Sequence, residues 1–331
     1  MGRDGVGAAA AGGETEARLS VLTFTGAPRR PARVAHWAMP ELPDITVYVE
    51  RARDKLIGQV LRRVRVLNPF LLRTAVPPIS SVEGQRLVAV ERLGKRVVLG
   101  VESDRWLVIH LMIAGRLRWL APGAKGPGRI TLAQFEFDTG SLVLTEAGTT
   151  RRASLHLVDG RAALAAMDPG GLDVLAADLP TFSARLKSAN HTLKRALTDP
   201  SLFSGIGNSY SDEILHRARL SPLALTKSLP DDAVARLHAA VQVVLTEWTE
   251  RLRREAGDWP DKVTAFHSQM AVHGRYGQPC PDCGTPVQRI VYAGNEANYC
   301  ARCQTGGRLL ADRALSRLLK ASWPAHVDDW V

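Results

Sequence analysis

The sequence predicts an α+β multidomain chain, and three observations carry that prediction. Between residues 60 and 145, short β-branched runs alternate with glycine turns, the pattern of a compact antiparallel β module. Beyond residue 175 the apolar positions take up helical spacing. All four cysteines then fall between Cys280 and Cys303.

The composition sets the class. With 45% hydrophobic and 23% charged residues in 331, the chain is of the soluble globular type, which excludes a collagen-like or wholly disordered protein. No run approaches the ~20 apolar residues of a membrane span. Lys and Arg number 43 against 33 Asp and Glu, for a net charge of +10. That surplus favours a polyanionic partner, nucleic acid before membrane. It concentrates between residues 50 and 118, with 14 basic against 6 acidic side chains. Four clustered cysteines are too few for a disulfide-stapled secreted domain. The first 38 residues lack a basic segment followed by an apolar core, and Asp4, Glu14 and Glu16 oppose a transit peptide. The expected location is cytoplasmic, associated with the nucleoid.

The elements follow in order. Residues 1–38 are Gly/Ala-rich and then Arg/Pro-rich without any period, so a disordered leader or a misassigned start is expected there. Val47–Ile57 reads as a helix closed by Gly58. Strands are expected over Val60–Val66, Leu87–Arg92, Arg96–Val101, Trp106–Met112, Leu132–Phe137 and Ser141–Thr145. Helices are expected over Thr181–Ser188, Thr192–Thr198, Asn208–Arg219 and Asp231–Glu255. The last carries Val234, Leu237, Val241, Val244, Leu245, Trp248 and Leu252 on one buried face. Val287–Tyr292 and Asn298–Tyr299 flank a turn over residues 293–296, and a short helix near Leu309–Leu319 and a Trp323/Trp330 tail close the chain.

Three segments carry chemistry. Cys280-Pro-Asp-Cys283 and Cys300-Ala-Arg-Cys303 stand sixteen residues apart, a spacing that lets four thiolates collect one tetrahedral Zn2+. Four sulfur ligands leave no open position, so such a zinc is structural; buried thiols or two disulfides are the alternatives. Gly205-Ile206-Gly207-Asn208 opens a helix whose unpaired amides suit a phosphate. Taken alone, it equally fits an ordinary glycine turn before a capped helix. Met39-Pro40-Glu41-Leu42-Pro43-Asp44 is by itself a proline-rich turn. If Met39 were the initiator and were removed, Pro40 would carry a secondary amine titrating near pH ~8, a usable nucleophile with Glu41 beside it to move protons.

Together and in this order, these segments resemble the formamidopyrimidine-DNA glycosylase/endonuclease VIII family. Phe266-His267-Ser268-Gln269-Met270-Ala271-Val272-His273-Gly274-Arg275, ahead of the first cysteine pair, adds to the likeness, which runs from about Met39 to Gln304. The resemblance implies an N-terminal antiparallel β-sandwich with a helix, a helix–two-turn–helix domain and a C-terminal four-cysteine zinc finger. The corresponding boundaries are 39–165, 175–265 and 270–304, with a leader over 1–38 and a C-terminal helix and tail over 305–331. It implies a bifunctional glycosylase and abasic-site lyase, a monomer acting on double-stranded DNA that contains a damaged base or abasic site, and no membrane partner.

By the same resemblance, Pro40 is the Schiff-base nucleophile, Glu41 its acid/base and Lys95 the hairpin lysine that contacts the lesion strand. Asn208 is the phosphate-binding asparagine and His110 a phosphate contact. For Lys95 a solvated strand charge, and for His110 a core imidazole, are the plainer readings of the residues. Three positions depart from the family pattern. Asn295, expected to bind DNA at the finger tip, stands where arginine is usual; it can give a phosphate one hydrogen bond but no charge or bidentate fork, which implies weaker δ-elimination. Ile113 replaces a gap-filling methionine, and Ala153 follows Arg151-Arg152 where phenylalanine is common. Which of the two arginines enters the DNA stays open, and opposite-base discrimination is expected to be altered. A catalytically silent damaged-DNA-binding member is the rival expectation, because Pro40 inside a longer chain is a tertiary amide.

Overall fold

The computed structural model describes residues 39–148, 150–261, 263, 267–292, 295–310 and 325–329. The leader, Phe266, residues 311–319 of the expected C-terminal helix, Trp323 and Trp330 lie outside the described residues, and Leu309 and Leu310 are not helical.

Helix α1 (Leu42–Leu56) begins at Leu42 rather than Val47 because its start is built from polar caps, not apolar spacing. Pro43 sits in the first turn, where a missing N–H costs nothing, and the Glu41 N–H donates to the Asp44 carboxylate at 2.9 Å. The helix serves two cores. Leu42 packs among the helical residues of the second module, whereas Ile45, Tyr48, Val49, Ala52 and Leu56 enter the β module.

That β module is a sandwich of two antiparallel sheets. One sheet has the order β1-β3-β4-β5-β9: Val60–Leu61, Gln85–Leu93, Arg96–Val101, Arg105–His110 and Ser154–Asp159. The other has the order β2-β7-β8-β6: Arg63–Val66, Thr131–Phe137, Gly140–Glu146 and Gly115–Leu120. The run expected as one strand over Val60–Val66 is divided between the sheets. Leu61 and Val64 both enter the core. Three residues apart, they would point to opposite faces of a single strand, so the chain changes sheet at Arg62. Strands β6 and β9 escaped the sequence reading. In β6 the arginines mask the alternation: Arg116 is 7% exposed, its guanidinium donating to the carbonyls of Gly115, Ile113 and Val263. In β9 only Leu155 and Leu157 point into the core.

Helix α2 (Arg161–Ala165) packs on the sandwich, with Leu164 against Val98, Trp106 and Val108; the helical module comprises α3 (Leu179–Lys187), α4 (Leu193–Thr198), α5 (Asn208–Ala218) and α6 (Asp231–Ala256). The expected stripe of α6 from Val234 to Trp248 is buried against Phe182, Leu193, Tyr210 and Ile214. Its last turns leave that core and meet α1, with Leu252 and Ala256 on Val47 and Arg253 paired to Glu50 at 2.7 Å. The finger is the hairpin β10 (Gln288–Tyr292) and β11 (Asn295–Tyr299), followed by α7 (Ala301–Thr305). Its ladder runs out to Tyr292↔Asn295, so β11 takes in Asn295 and Glu296, which the sequence placed in the turn. Among the described residues no helix is long and apolar enough to cross a membrane.

Candidate active site and metal centre

The start of α1 and the start of α5 meet head to head. Glu41 is 2% exposed, and its carboxylate accepts the N–H groups of Gly207 at 2.5 Å, Ser209 at 2.7 Å and Tyr210 at 3.3 Å. The unpaired amides of α5, where the sequence suggested a phosphate, therefore hold the protein's own carboxylate, which the helix dipole favours equally. Pro40 is buried at the same junction.

Glycine is required at both ends of Gly205-Ile206-Gly207. Gly205 has φ +86°, and a Cβ there would meet Leu42 at 2.8 Å. A Cβ on Gly207 would lie 2.5 Å from the Glu41 carboxyl carbon and 2.6 Å from Lys95 Nζ. Carboxylate and ammonium thus share the space over one glycine. Lys95 reaches it from the Gly94-Lys95 turn joining β3 to β4, where Gly94 takes φ +60°, as the first position of a type II′ hairpin turn demands. Burial holds the Lys95 ammonium below the ordinary lysine value; Lys194 adds to this, while Glu41 opposes it.

Helix α5 carries the expected Asn208 and, beyond it, Asp212 and Glu213, which the sequence did not single out. Asn208 donates its Nδ2 to the Glu296 carbonyl at 2.8 Å, which ties the helix to the finger hairpin. One turn on, the buried Asp212 carboxylate meets Lys194 Nζ at 2.5 Å, His273 Nδ1 at 2.8 Å and the Asn298 N–H at 3.1 Å. Glu213 accepts the N–H groups of Ala271, Val272 and His273 within 2.9 Å. The i, i+4 spacing of Asn208 and Asp212 was the signal available. Polar helix residues usually face water, so that spacing alone does not mark Asp212 as buried.

The other candidates sit on the sandwich. His110 ends β5, half-buried between Arg96 and Ser154 in the sheet register. Burial, and then the charges of Arg96 and Lys95, push its imidazole down to about 4. It is neutral near pH 7 and can serve a phosphate as an N–H donor but not as a cation. Arg151 and Arg152 are exposed on the loop before β9. Arg151 donates to the Arg129 carbonyl at 2.6 Å, and the Arg152 N–H donates to the buried Glu146 carboxylate at 2.9 Å. Ile113 is 39% exposed beside Met112, whose φ of +53° marks a tight turn between β5 and β6. Ala153 departs from its expected place: at 4% exposure it packs into the sandwich core and presents nothing to a ligand. The reason is β9, which starts at the next residue and draws Ala153 inward.

Between α1 and the end of α6 lies a cavity of about 470 Å³ lined by Asp44, Val47, Leu252, Glu255, Trp259 and Val263, among others. Burial raises the Asp44 carboxyl to about 7, with the Glu41 charge adding to it against the Glu41 N–H bond and Arg116.

The four cysteine Sγ atoms lie within 4.8 Å of one another, with Cys283–Cys300 at 3.4 Å and Cys280–Cys303 at 3.9 Å. A zinc tetrahedron with ~2.3 Å bonds has edges of about 3.8 Å, so the cage fits the ion. Disulfides, which need a bond of ~2.05 Å, are excluded, and all four cysteines are free. Asn295 begins β11 opposite Tyr292, and the turn residues 293–294 lie outside the described residues.

Three family models match in chain order. The formamidopyrimidine-DNA glycosylase N-terminal domain covers residues 39–163, its H2TH domain 171–255, and the zinc finger found in FPG and IleRS 277–306. The formamidopyrimidine-DNA glycosylase of Thermus thermophilus is 34% identical over 280 residues, spanning 81% of this chain and 100% of its own. That of Heliobacterium modesticaldum is 32% identical over 282 residues, spanning 80% and 100%. The crystal structure of MutM (Fpg) from Thermus thermophilus superposes with TM-score 0.68 at 33% identity, over 80% of this chain and 98% of that one. A Lactococcus lactis Fpg bound to abasic-site DNA superposes with TM-score 0.72 at 21% identity, over 80% and 99%, a likeness of fold.

Proposed function

This chain belongs to the formamidopyrimidine-DNA glycosylase family and is a zinc-finger DNA glycosylase of base-excision repair, and we propose that Pro40, Glu41 and Lys95 carry out its chemistry. The observation that supports this most is the meeting of Glu41 and Lys95 over Gly207, one from the N-terminal turn and one from a β-hairpin, with the buried Pro40 next to Glu41 in the chain.

In this proposal Pro40, as a free N-terminal secondary amine, attacks C1′ of the damaged nucleotide. The glycosidic electron pair leaves with the base, which takes up a proton. Opening of the sugar then yields an iminium, with Glu41 delivering the proton to the ring oxygen. Removal of a C2′ proton expels the 3′-phosphate, and the strand is nicked by β-elimination. Asn295 supplies no cationic fork for the remaining phosphate, so δ-elimination is the weaker outcome. Zinc does not enter these steps; held by Cys280, Cys283, Cys300 and Cys303, it fixes the finger beside α5.

The DNA partner is duplex containing a damaged base or abasic site. Lys95, Asn208, His110, Arg151 and Arg152 serve its phosphates and the gap left by the flipped nucleotide, with Ile113 the wedge on the exposed turn. The cavity lined by Asp44 and Trp259 receives the base. We further place the protein as a monomer in the cytoplasm at the nucleoid, with the catalytic domain over 39–165, the helical domain over 175–265 and the finger over 270–304.

Borohydride trapping on an abasic duplex tests the nucleophile. A chain beginning at Pro40 should give a covalent adduct, and the same chain with Pro40→Gly should trap far more slowly. Equal trapping by a chain with Met39 still attached would reject Pro40 as the amine. In the 331-residue chain the Pro40 nitrogen is an amide, and that observation favours a second reading for this form, a protein that binds damaged DNA without cutting it.

A further inference from the structure

Helix α5 presents a ladder of polar side chains one turn apart to the finger. Asn208 and Asp212 serve the hairpin backbone, at the Glu296 carbonyl and the Asn298 N–H. His216, the next rung, passes the hairpin and reaches the cysteine cage, with Nε2 3.3 Å from Cys280 Sγ. The residue is 4% exposed. The Asp282 carboxylate lies farther off, at 4.0 Å from that nitrogen, and Cys303 Sγ lies within 4.8 Å of the ring.

We propose that His216 is the outer hydrogen-bond donor of the zinc centre, giving its Nε2–H to the zinc-bound Cys280 thiolate. A metal-bound thiolate can only accept, so the contact requires the proton on Nε2 and fixes the tautomer. A distance of 3.3 Å suits an N–H···S bond, and burial of the ring shields that bond from water. Four thiolates around Zn2+ leave a net charge of −2, and the shared proton draws part of it off Cys280. The sulfur becomes a poorer target for electrophiles and for ligand exchange. Because Asn208 and His216 stand on the same face of α5, the metal also stiffens the helix whose first amides hold Glu41. His216 is a positioning residue: it touches neither DNA nor the reacting atoms.

The test compares zinc retention in the full-length protein with His216→Phe, which keeps the ring's bulk without the donor, and His216→Gln, which restores an N–H. Zinc content is measured by native mass spectrometry. Release to a chromogenic chelator is timed after addition of a thiol alkylator. The expected result is one zinc in each protein, release from H216F faster by about tenfold or more, and partial return toward wild type in H216Q. H216F that fails to hold zinc while H216Q holds it would support the proposal equally. Release from H216F at the wild-type rate would overturn it. So would equal loss in both variants, since shape rather than the donor would then be responsible. Cobalt substitution supplies a separate readout: the d–d bands of the wild type should report four sulfurs, and a spectrum of three sulfurs and one nitrogen would make His216 a ligand and refute the outer role.

Discussion

Replacing Gly207 by alanine should separate catalysis from stability. The backbone at Gly207 has φ −131°, open to any residue, so the substitution acts only through its methyl group. That methyl would stand 2.5 Å from the Glu41 carboxyl carbon and 2.6 Å from Lys95 Nζ, well inside van der Waals contact. Lysine can swing away; Glu41 cannot without giving up N–H bonds from Gly207, Ser209 or Tyr210. Losing one hydrogen bond to a charged group costs about 1.5–3 kcal/mol. At ~1.4 kcal/mol per decade, a loss of that size from the reacting arrangement slows the chemistry roughly tenfold to a hundredfold. The assay is single-turnover borohydride trapping on abasic duplex by a chain beginning at Pro40, with thermal melting run in parallel. Gly58→Ala is the control: φ there is +81° with nothing within 4 Å, so it should cost about 1 kcal/mol of stability and leave trapping unchanged. If G207A trapped at the wild-type rate, the view that Glu41 is held in a working position by α5 would fail.

Other outcomes follow from the same geometry. The Asp44 carboxyl is raised to about 7 in the folded protein from 3.8. Its contribution is therefore full below pH 3.8 and is lost as pH rises through 7, so Asp44→Asn should gain stability over wild type between about pH 5 and 8. Denaturant melts showing the same difference at both pH values would contradict this. Lys95 lies below the ordinary lysine value because it is buried, so wild-type trapping should fall on an alkaline limb beneath 10.5. Lys95→Arg should remove that limb in a pH–rate profile, whatever its effect on the plateau. Stripping the metal with a chelator and a mild thiol alkylator should lower the melting temperature and weaken duplex binding in an anisotropy titration. The polar face of α5 would then lose its partners on the finger, whereas unchanged binding would show that α5 holds its place unaided.

By itself the sequence determined the elements and the chemistry-bearing residues whose signals are local. Four cysteines in two pairs, a Gly-X-Gly before a helix and a Pro-Glu at a turn are written in a few adjacent positions, and so is the stripe of α6. The fold class followed, and so did the metal. Tertiary structure alone decided what those residues meet. Glu41 and Gly207 are 166 residues apart, and no local pattern shows that the amides reserved for an anion would be filled by that carboxylate. The division of Val60–Val66 between two sheets, the inward turn of Ala153 and the polar ladder of α5 have the same cause. Burial is decided by whatever packs opposite, and a polar side chain whose partner lies on another module looks, in sequence, like one that faces water.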